Sequence, residues 1–243
     1  MDKPLTVGQL FLRETSHSRA QSLPMPTHRG GPALHQRHAR AVARVELPPP
    51  ELAGGARLWG TIAARRSARG FSREPVTLAE LSQVLWAVQG VTGTEGGVEL
   101  RATASAGALY PNDTYLFLLN VADCPAGLGH YDVPGHALDI LEKGDFSNVL
   151  ATACLGQGAC REAGVVLCWV AVISRATWKY ADRAYRYAFL DAGHLGAQAQ
   201  LAATALDLGS LNIAAFYDED VNLLLGLEGD EEFAVYLTAI GHQ

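Results

Sequence analysis

From Tyr180 to Leu208 the chain contains no proline, and Gly193 and Gly196 are the only glycines. Alanine and leucine dominate this stretch, and both cost little in a helix. Gly209 follows, where a left-handed residue commonly stops one. Apolar residues ring the segment from Phe189 onward, so the expected helix is a buried one, and a subunit interface is one way to bury it. The run Gly164–Ser174 is rich in β-formers and apolar on both faces, the mark of a central strand covered on both sides. Thr114–Val121 reads as another strand, Gly129–Val133 and Ala137–Leu141 as a hairpin across Pro134–Gly135, and Phe233–Ile240 as the last strand. Arg57–Ala64 is helical in composition. Thr77–Leu78–Ala79–Glu80 is a capping box, with Leu78, Leu81, Leu85 and Val88 following on one face and Gly90 closing the helix. Phe146–Leu155 reads as a helix, as does a short segment capped by Asp218 and running through Leu225. Val91–Arg101, Gly-rich and polar, reads as a loop. These pieces interleave without a regular βαβ period or a GxGxxG fingerprint, which points to α+β and away from a Rossmann fold.

Composition narrows the function classes. With 49% hydrophobic and 18% charged residues the chain is an ordinary globular one. A net charge of −6 disfavours a generic nucleic-acid surface. The charge is uneven: residues 1–50 hold seven of the 19 Lys and Arg and three of the 25 Asp and Glu, leaving 12 against 22. That segment contains an amphipathic piece, Val7–Arg13, then a Ser, His, Arg and Pro-rich tract ending in Pro48–Pro49–Pro50, which breaks any helix. Residues 1–50 are therefore read as an arm or linker that packs on its own or a partner's body, and 51–243 as one domain. No apolar run is long enough for a membrane span, the longest being Gly164–Ile173, and Met1–Asp2–Lys3 leads into no secretory segment, so a cytoplasmic address is expected. Cys124, Cys154, Cys160 and Cys168 form no CxxC pair and are expected to be reduced, mostly buried thiols. Four of the eight histidines (His17, His28, His35, His38) lie in the arm and none of the others makes an HxxxH pair, so no metal site is expected.

Three stretches carry chemistry. Arg65–Arg66–Ser67–Ala68–Arg69–Gly70–Phe71 places three guanidinium groups and a hydroxyl within five residues. Arginine presents a fork of donors that matches phosphate oxygens in pairs, and Phe71 can plug the turn into the body. A solvated basic bend is the plainer reading of the same residues. In Ala102–Pro111 the run Ser105–Ala106–Gly107–Ala108 has side chains small enough for the backbone to approach something flat, or to pack tightly within the protein. Lys179–Tyr180 opens the long helix, either as a solvent-facing lysine beside a packing tyrosine or as a pair that handles protons.

The order of these pieces resembles a known family. RRSxRxF, SAGALYP, a short Tyr-Asp hairpin, KYxxRxYRY leading into Asp-Ala-Gly-His, a small-residue turn before Phe216, and a terminal strand ending Ile-Gly look like the nitroreductase superfamily of FMN flavoproteins. More closely they resemble its SagB-type dehydrogenase branch, which includes oxidases of peptide azolines. The resemblance implies a central, mostly antiparallel sheet flanked by helices, with the long helix buried at a homodimer interface. It implies FMN as cofactor, held at its phosphate by Arg65, Ser67 and Arg69 with Arg66 nearby. It places Ser105, Ala106, Gly107 and Ala108 against the flavin, often from the second subunit, and the backbone of Ala214 and Ala215 at the flavin N5 and O4 edge. Lys179 and Tyr180 match the pair that such dehydrogenases use for proton handling, and the substrate is then a peptide or a small molecule.

Some residues depart from the family pattern. An arginine expected after the terminal glycine is replaced in Gly241–His242–Gln243, where His242 can donate one bond to phosphate. Gly193–His194–Leu195–Gly196–Ala197–Gln198 stands where Gly-His-x-x-Gln-Asn is usual, and Ala214 stands for a glycine. A small-molecule nitro- or quinone-type reductase and a non-catalytic, flavin-binding scaffold subunit therefore remain as other readings beside peptide azoline oxidation.

Overall fold

A computed structural model of the protein describes residues 4–17, 31–36, 38–39, 41–227 and 229–243. Much of the polar, proline-containing tract before residue 41, His28 included, lies outside them. The helices are α1 (Val7–Glu14), α2 (Leu58–Ala64), α3 (Leu78–Gln89), α4 (Ser147–Ala153), α5 (Ala159–Glu162), α6 (Ser174–Tyr180), α7 (Arg183–Ala205) and α8 (Asp218–Leu225). The strands are β1 (Ala43–Glu46), β2 (Val91–Glu95), β3 (Val98–Arg101), β4 (Asn112–Leu118), β5 (Gly127–Asp132), β6 (Ala137–Lys143), β7 (Val165–Val172), β8 (Gly209–Ile213) and β9 (Glu232–Gly241).

Seven strands form one sheet in the order β1-β6-β5-β4-β7-β9-β8, every neighbouring pair antiparallel. This is the expected α+β architecture. β7 lies in its interior between β4 and β9, and all eight of its residues are buried. Its Val165, Leu167 and Trp169 join a core with α3 (Leu81, Leu85, Val88) and α7 (Leu195, Ala199, Ala203). Val166, Cys168 and Val170 face the opposite side, against α4, α5 and α8 through Leu150, Cys160, Val221 and Leu225. Successive side chains of a strand point to opposite faces, so helices on both sides require an apolar run without alternation. The capping box of α3 has both its bonds, Thr77 accepting from Glu80 N–H and Glu80 accepting from Thr77 N–H.

The structure departs from the sequence reading in five places. Val91–Arg101 is a two-stranded hairpin, β2 with β3, turned by Gly96 and Gly97 at positive φ. The segment 180–208 is two helices: α6 ends at Tyr180, Ala181 takes φ 45°, and α7 begins at Arg183. α7 is buried along one stripe, Ala184, Ala188, Asp191, Leu195, Ala199 and Ala203, while Phe189 and Leu190 on another face are exposed. Its left-handed stop is Asp207 (φ 57°), and Gly209 already belongs to β8. Asp218 is the first residue of α8, whose N-cap is Tyr217.

Two described pieces of the first fifty residues join the body. β1 pairs with β6 at the sheet edge. α1 rests on α7, where Arg186 donates to Thr15 Oγ1 (2.5 Å) and the Phe11 and Phe189 rings lie 6.4 Å apart. All four cysteines are free, Cys154, Cys160 and Cys168 being buried. No helix among the described residues is long and apolar enough to cross a membrane.

Candidate functional site

Ser105 to Tyr110 is held in an unusual backbone path. Gly107 has φ 65°, and the non-glycine residues Ala108 (φ 53°) and Tyr110 (φ 43°) share the left-handed region. Each such non-glycine residue costs about 1–3 kcal/mol and needs its surroundings to impose it. Asp191, on the buried stripe of α7, imposes the first half: it accepts from Ser105 Oγ at 2.6 Å and from Ala106 N–H at 3.3 Å. Ser105 Oγ in turn accepts from Tyr110 N–H at 2.9 Å, which closes the loop. Burial pushes the Asp191 carboxyl above the usual carboxylate range, and the bonds from Ser105 and Ala106 offset part of that rise. His194 lies one turn on, 3.3 Å from the Ala104 carbonyl.

Lys179 and Tyr180 meet this loop. A Cβ added to Gly107 would collide with Tyr180 Oη and stand 2.8 Å from Lys179 Nζ, so the pair as placed would have to shift for any larger residue. The amine lies 5.2 Å from the centre of the Tyr180 ring, and that ring packs edge-on against Tyr187. Among the described residues no carboxylate pairs with Lys179. The strained Ala181 turns the chain between α6 and α7, which leaves Lys179 and Tyr180 at a helix end beside the loop.

The arginine turn sits elsewhere. Arg65 caps the C-terminus of α2, and Arg66 donates to the Ala63 and Arg65 carbonyls at 2.9 and 2.7 Å, so its guanidinium is occupied in closing that helix. Ser67 bridges Ser210 of β8, Ala68 donates its N–H to the Ser210 carbonyl at 2.9 Å, and Phe71 packs into the core beneath the sheet. Ser67 and Arg69 are exposed, and among the described residues Arg65 and Arg69 have no carboxylate partner. β8 then runs back along α7, Asn212 and Tyr236 crossing close over Gly196, where any Cβ would meet them. It ends at the exposed Ala214 and Ala215, the Ala215 carbonyl accepting from Gln157 Nε2 at 2.9 Å. His242 accepts Ser72 N–H at its carbonyl, and its imidazole stands 3.5 Å from Glu80.

The candidate residues thus fall into two groups. One joins Ser105–Ala108 with Lys179 and Tyr180 around Asp191. The other joins Arg65, Ser67 and Arg69 to the start of β8, just beyond the end of α7. Asp191 and Ala205 are separated by roughly 20 Å along the helix axis at 1.5 Å per residue. A phosphate group fits the second, where exposed guanidinium and hydroxyl donors lack anionic partners. The first offers a side-chain-poor backbone met at Gly107 by an amine and a phenol.

Sequence reasoning overlooked Asp113, Arg175 and Asp191. Arg175 donates to Asp113 through both ends of its fork, at 2.5 and 2.9 Å, and both side chains are buried. A carboxylate amid the alanines of an apolar helix stripe was a readable signal for Asp191. Asp113, near the start of β4 beside Asn112 and Thr114, and Arg175, at the start of α6, gave none.

A model of the Nitroreductase family matches residues 62–242. A protein of Methanocaldococcus jannaschii that carries the nitroreductase name is 32% identical over 187 residues, 77% of this chain and 91% of that protein. The trifolitoxin operon protein TfxC of Rhizobium leguminosarum is 25% identical over 86% of this chain, which spans 62% of TfxC's length. The structure is similar to a nitroreductase-named crystal structure from Anabaena variabilis (TM-score 0.71, 30% identity), covering 82% of this chain and 41% of that one. It also matches the Escherichia coli microcin synthetase McbBCD complex with truncated pro-MccB17 bound, at TM-score 0.63 and 19% identity, over 100% of this chain and 84% of that chain.

Proposed function

The chain belongs to the Nitroreductase family, whose members are FMN-dependent oxidoreductases, and from that premise we propose that it is a SagB-type dehydrogenase that oxidises azoline rings in a peptide to azoles. The observation that carries this reading is the convergence of Lys179 Nζ and Tyr180 Oη on Gly107. Bound FMN supplies a two-electron acceptor for a hydride. Arg65, Ser67 and Arg69 would hold its phosphate, and the small residues Ser105–Ala108 would let the backbone come close to its ring. Aromatising an azoline also requires loss of a ring proton, and Lys179, with no carboxylate partner among the described residues and beside Tyr180, is placed to accept it. The likeness to TfxC and to a synthetase complex that holds a peptide supports a peptide substrate.

The two groups of residues lie too far apart along α7 to line one short cleft. A homodimer that sets the arginine turn of one subunit against the Ser105 loop of its partner resolves this. Leu58, Trp59 and Ile62 of α2 and Phe189 and Leu190 of α7, all exposed, supply its apolar contact. His242, turned toward Glu80, contributes less to phosphate than an arginine would.

The test is oxidation of a synthetic thiazoline-containing peptide by FMN-loaded protein. Lys179→Ala is expected to lose at least about a hundredfold in rate, the range of a general base, while keeping its flavin. Full activity in that variant would remove Lys179 from the chemistry. The nitroreductase name of the archaeal relative favours a second reading, reduction of small nitro compounds by a nicotinamide donor. Rapid nitrofurazone reduction without thiazoline oxidation would select it.

A further inference from the structure

We propose that the buried Asp113–Arg175 ion pair is a positioning element that sets Lys179 against the Ser105–Tyr110 loop. This rests on the reading of Lys179 as the proton acceptor. α6 has seven residues and ends in the strained Ala181, too short to hold its own place by helix formation. Ala176 packs it into an apolar cluster with Leu109, and its buried polar anchor is Arg175, one helical turn before Lys179 and on the same side of the helix. The Arg175 side chain is 1% exposed and its fork grips Asp113 of β4, 7% exposed. Its Nε donates to the Ala33 carbonyl at 3.0 Å, and Nη1 also reaches the Tyr110 carbonyl at 3.4 Å. One guanidinium therefore ties three things to α6: the central sheet, the end of the Ser105–Tyr110 loop, and the segment before β1.

Energy alone gives this pair little purpose. Replacing a buried ion pair by apolar side chains of similar size is often neutral or stabilising. Its distinctive property is geometric, since a planar fork fixes several acceptors at set angles and apolar side chains do not. Trp178 reinforces the arrangement: its Nε1 donates to the Arg175 carbonyl at 2.8 Å, and its indole covers Gly31 so closely that no Cβ would fit there. Asp113 also has His130 at 3.7 Å. Arg175 thus adds a polar registration of the lysine against the loop to the apolar packing of Leu109 with Ala176 and Tyr180.

The experiment follows acetylation of Lys179 by acetic anhydride in the FMN-loaded protein, read by mass spectrometry against the exposed Lys143. The double variant Arg175→Met with Asp113→Leu replaces the pair by apolar side chains and keeps the packing. With near-ultraviolet circular dichroism and flavin content retained, the ratio of Lys179 to Lys143 acetylation is expected to rise at least about fivefold, an ordinary size for coupled neighbours. An unchanged ratio in that folded variant overturns the proposal. Should the double variant not fold, Asp113→Asn keeps the shape and weakens the grip: a rise of about twofold supports the proposal, and no rise overturns it. Lys179→Ala on the thiazoline peptide separates the two ideas. If it retains turnover the proton role falls, while the acetylation result still reports whether Arg175 positions the lysine.

Discussion

Asp113 and Asp191 are both buried carboxylates, and their surroundings drive them in opposite directions. Burial raises Asp113, but His130 at 3.7 Å and the Arg175 fork outweigh it and bring the carboxyl down to about 2. Its folded value is below the ordinary one, so the stability it contributes is present above about pH 4 and is lost as pH falls toward about 2. Denaturation by urea across that window is expected to show a loss that Asp113→Asn lacks, on top of a penalty of about 3–5 kcal/mol at neutral pH for breaking the pair. Equal acid sensitivity in both proteins would contradict the assignment. Asp191 is raised by burial, so the folded state favours its protonated form and acidification relieves it. It thus loads the Ser105 loop at neutral pH while shaping it, a cost that packing must offset. None of this is readable from Asp and Arg in a sequence, because the sign depends on which partner the fold delivers.

Among the elements, those with a complete local signal were legible and those imposed from outside were not. The capping box of α3, the all-apolar β7 and the β5–β6 hairpin announce themselves through spacing and turn residues. The β2–β3 hairpin carried its Gly96–Gly97 turn, but every residue of β2 is exposed, so no alternation marked the strand. Nor could the break at Ala181 be read, since alanine is the best helix former. The site loop lies between these cases: its small residues indicated close approach, while the left-handed path of Ala108 and Tyr110 is set by Asp191 and Ser105. Gly107→Ala tests that element. The φ of 65° costs an alanine about 1–2 kcal/mol, and the new methyl collides with Tyr180. Thiazoline oxidation is expected to fall by more than tenfold with a drop in thermal midpoint; wild-type kinetics would show that Lys179 and Tyr180 do not act beside this loop.

The whole molecule presents its two candidate groups at separate points along α7, and among the described residues Leu58, Trp59 and Ile62 of α2 and Leu190 of α7 are exposed. Trp59 is 79% exposed beside Leu58 and Ile62, a cost in water that a subunit contact removes. Trp59→Asp is expected to shift the protein from dimer to monomer in light scattering and to lower flavin occupancy with it. A dimer that persists with full flavin would place the interface elsewhere. The resemblance pointed to both groups of candidate residues, but not to their separation, which depends on where α7 and β8 carry them. It also left open how the first fifty residues attach, since the four-residue β1 and the docking of α1 by Arg186 depend on partners distant in the chain.

The most direct test of the account is the absorbance spectrum of the purified protein after incubation with FMN and removal of the excess. Bands near about 370 and 450 nm at close to one flavin per chain are predicted for the wild type, and their loss for Arg69→Ala and Ser67→Ala. A wild-type protein that stays colourless, or an Arg69→Ala variant that binds flavin as tightly, would contradict it.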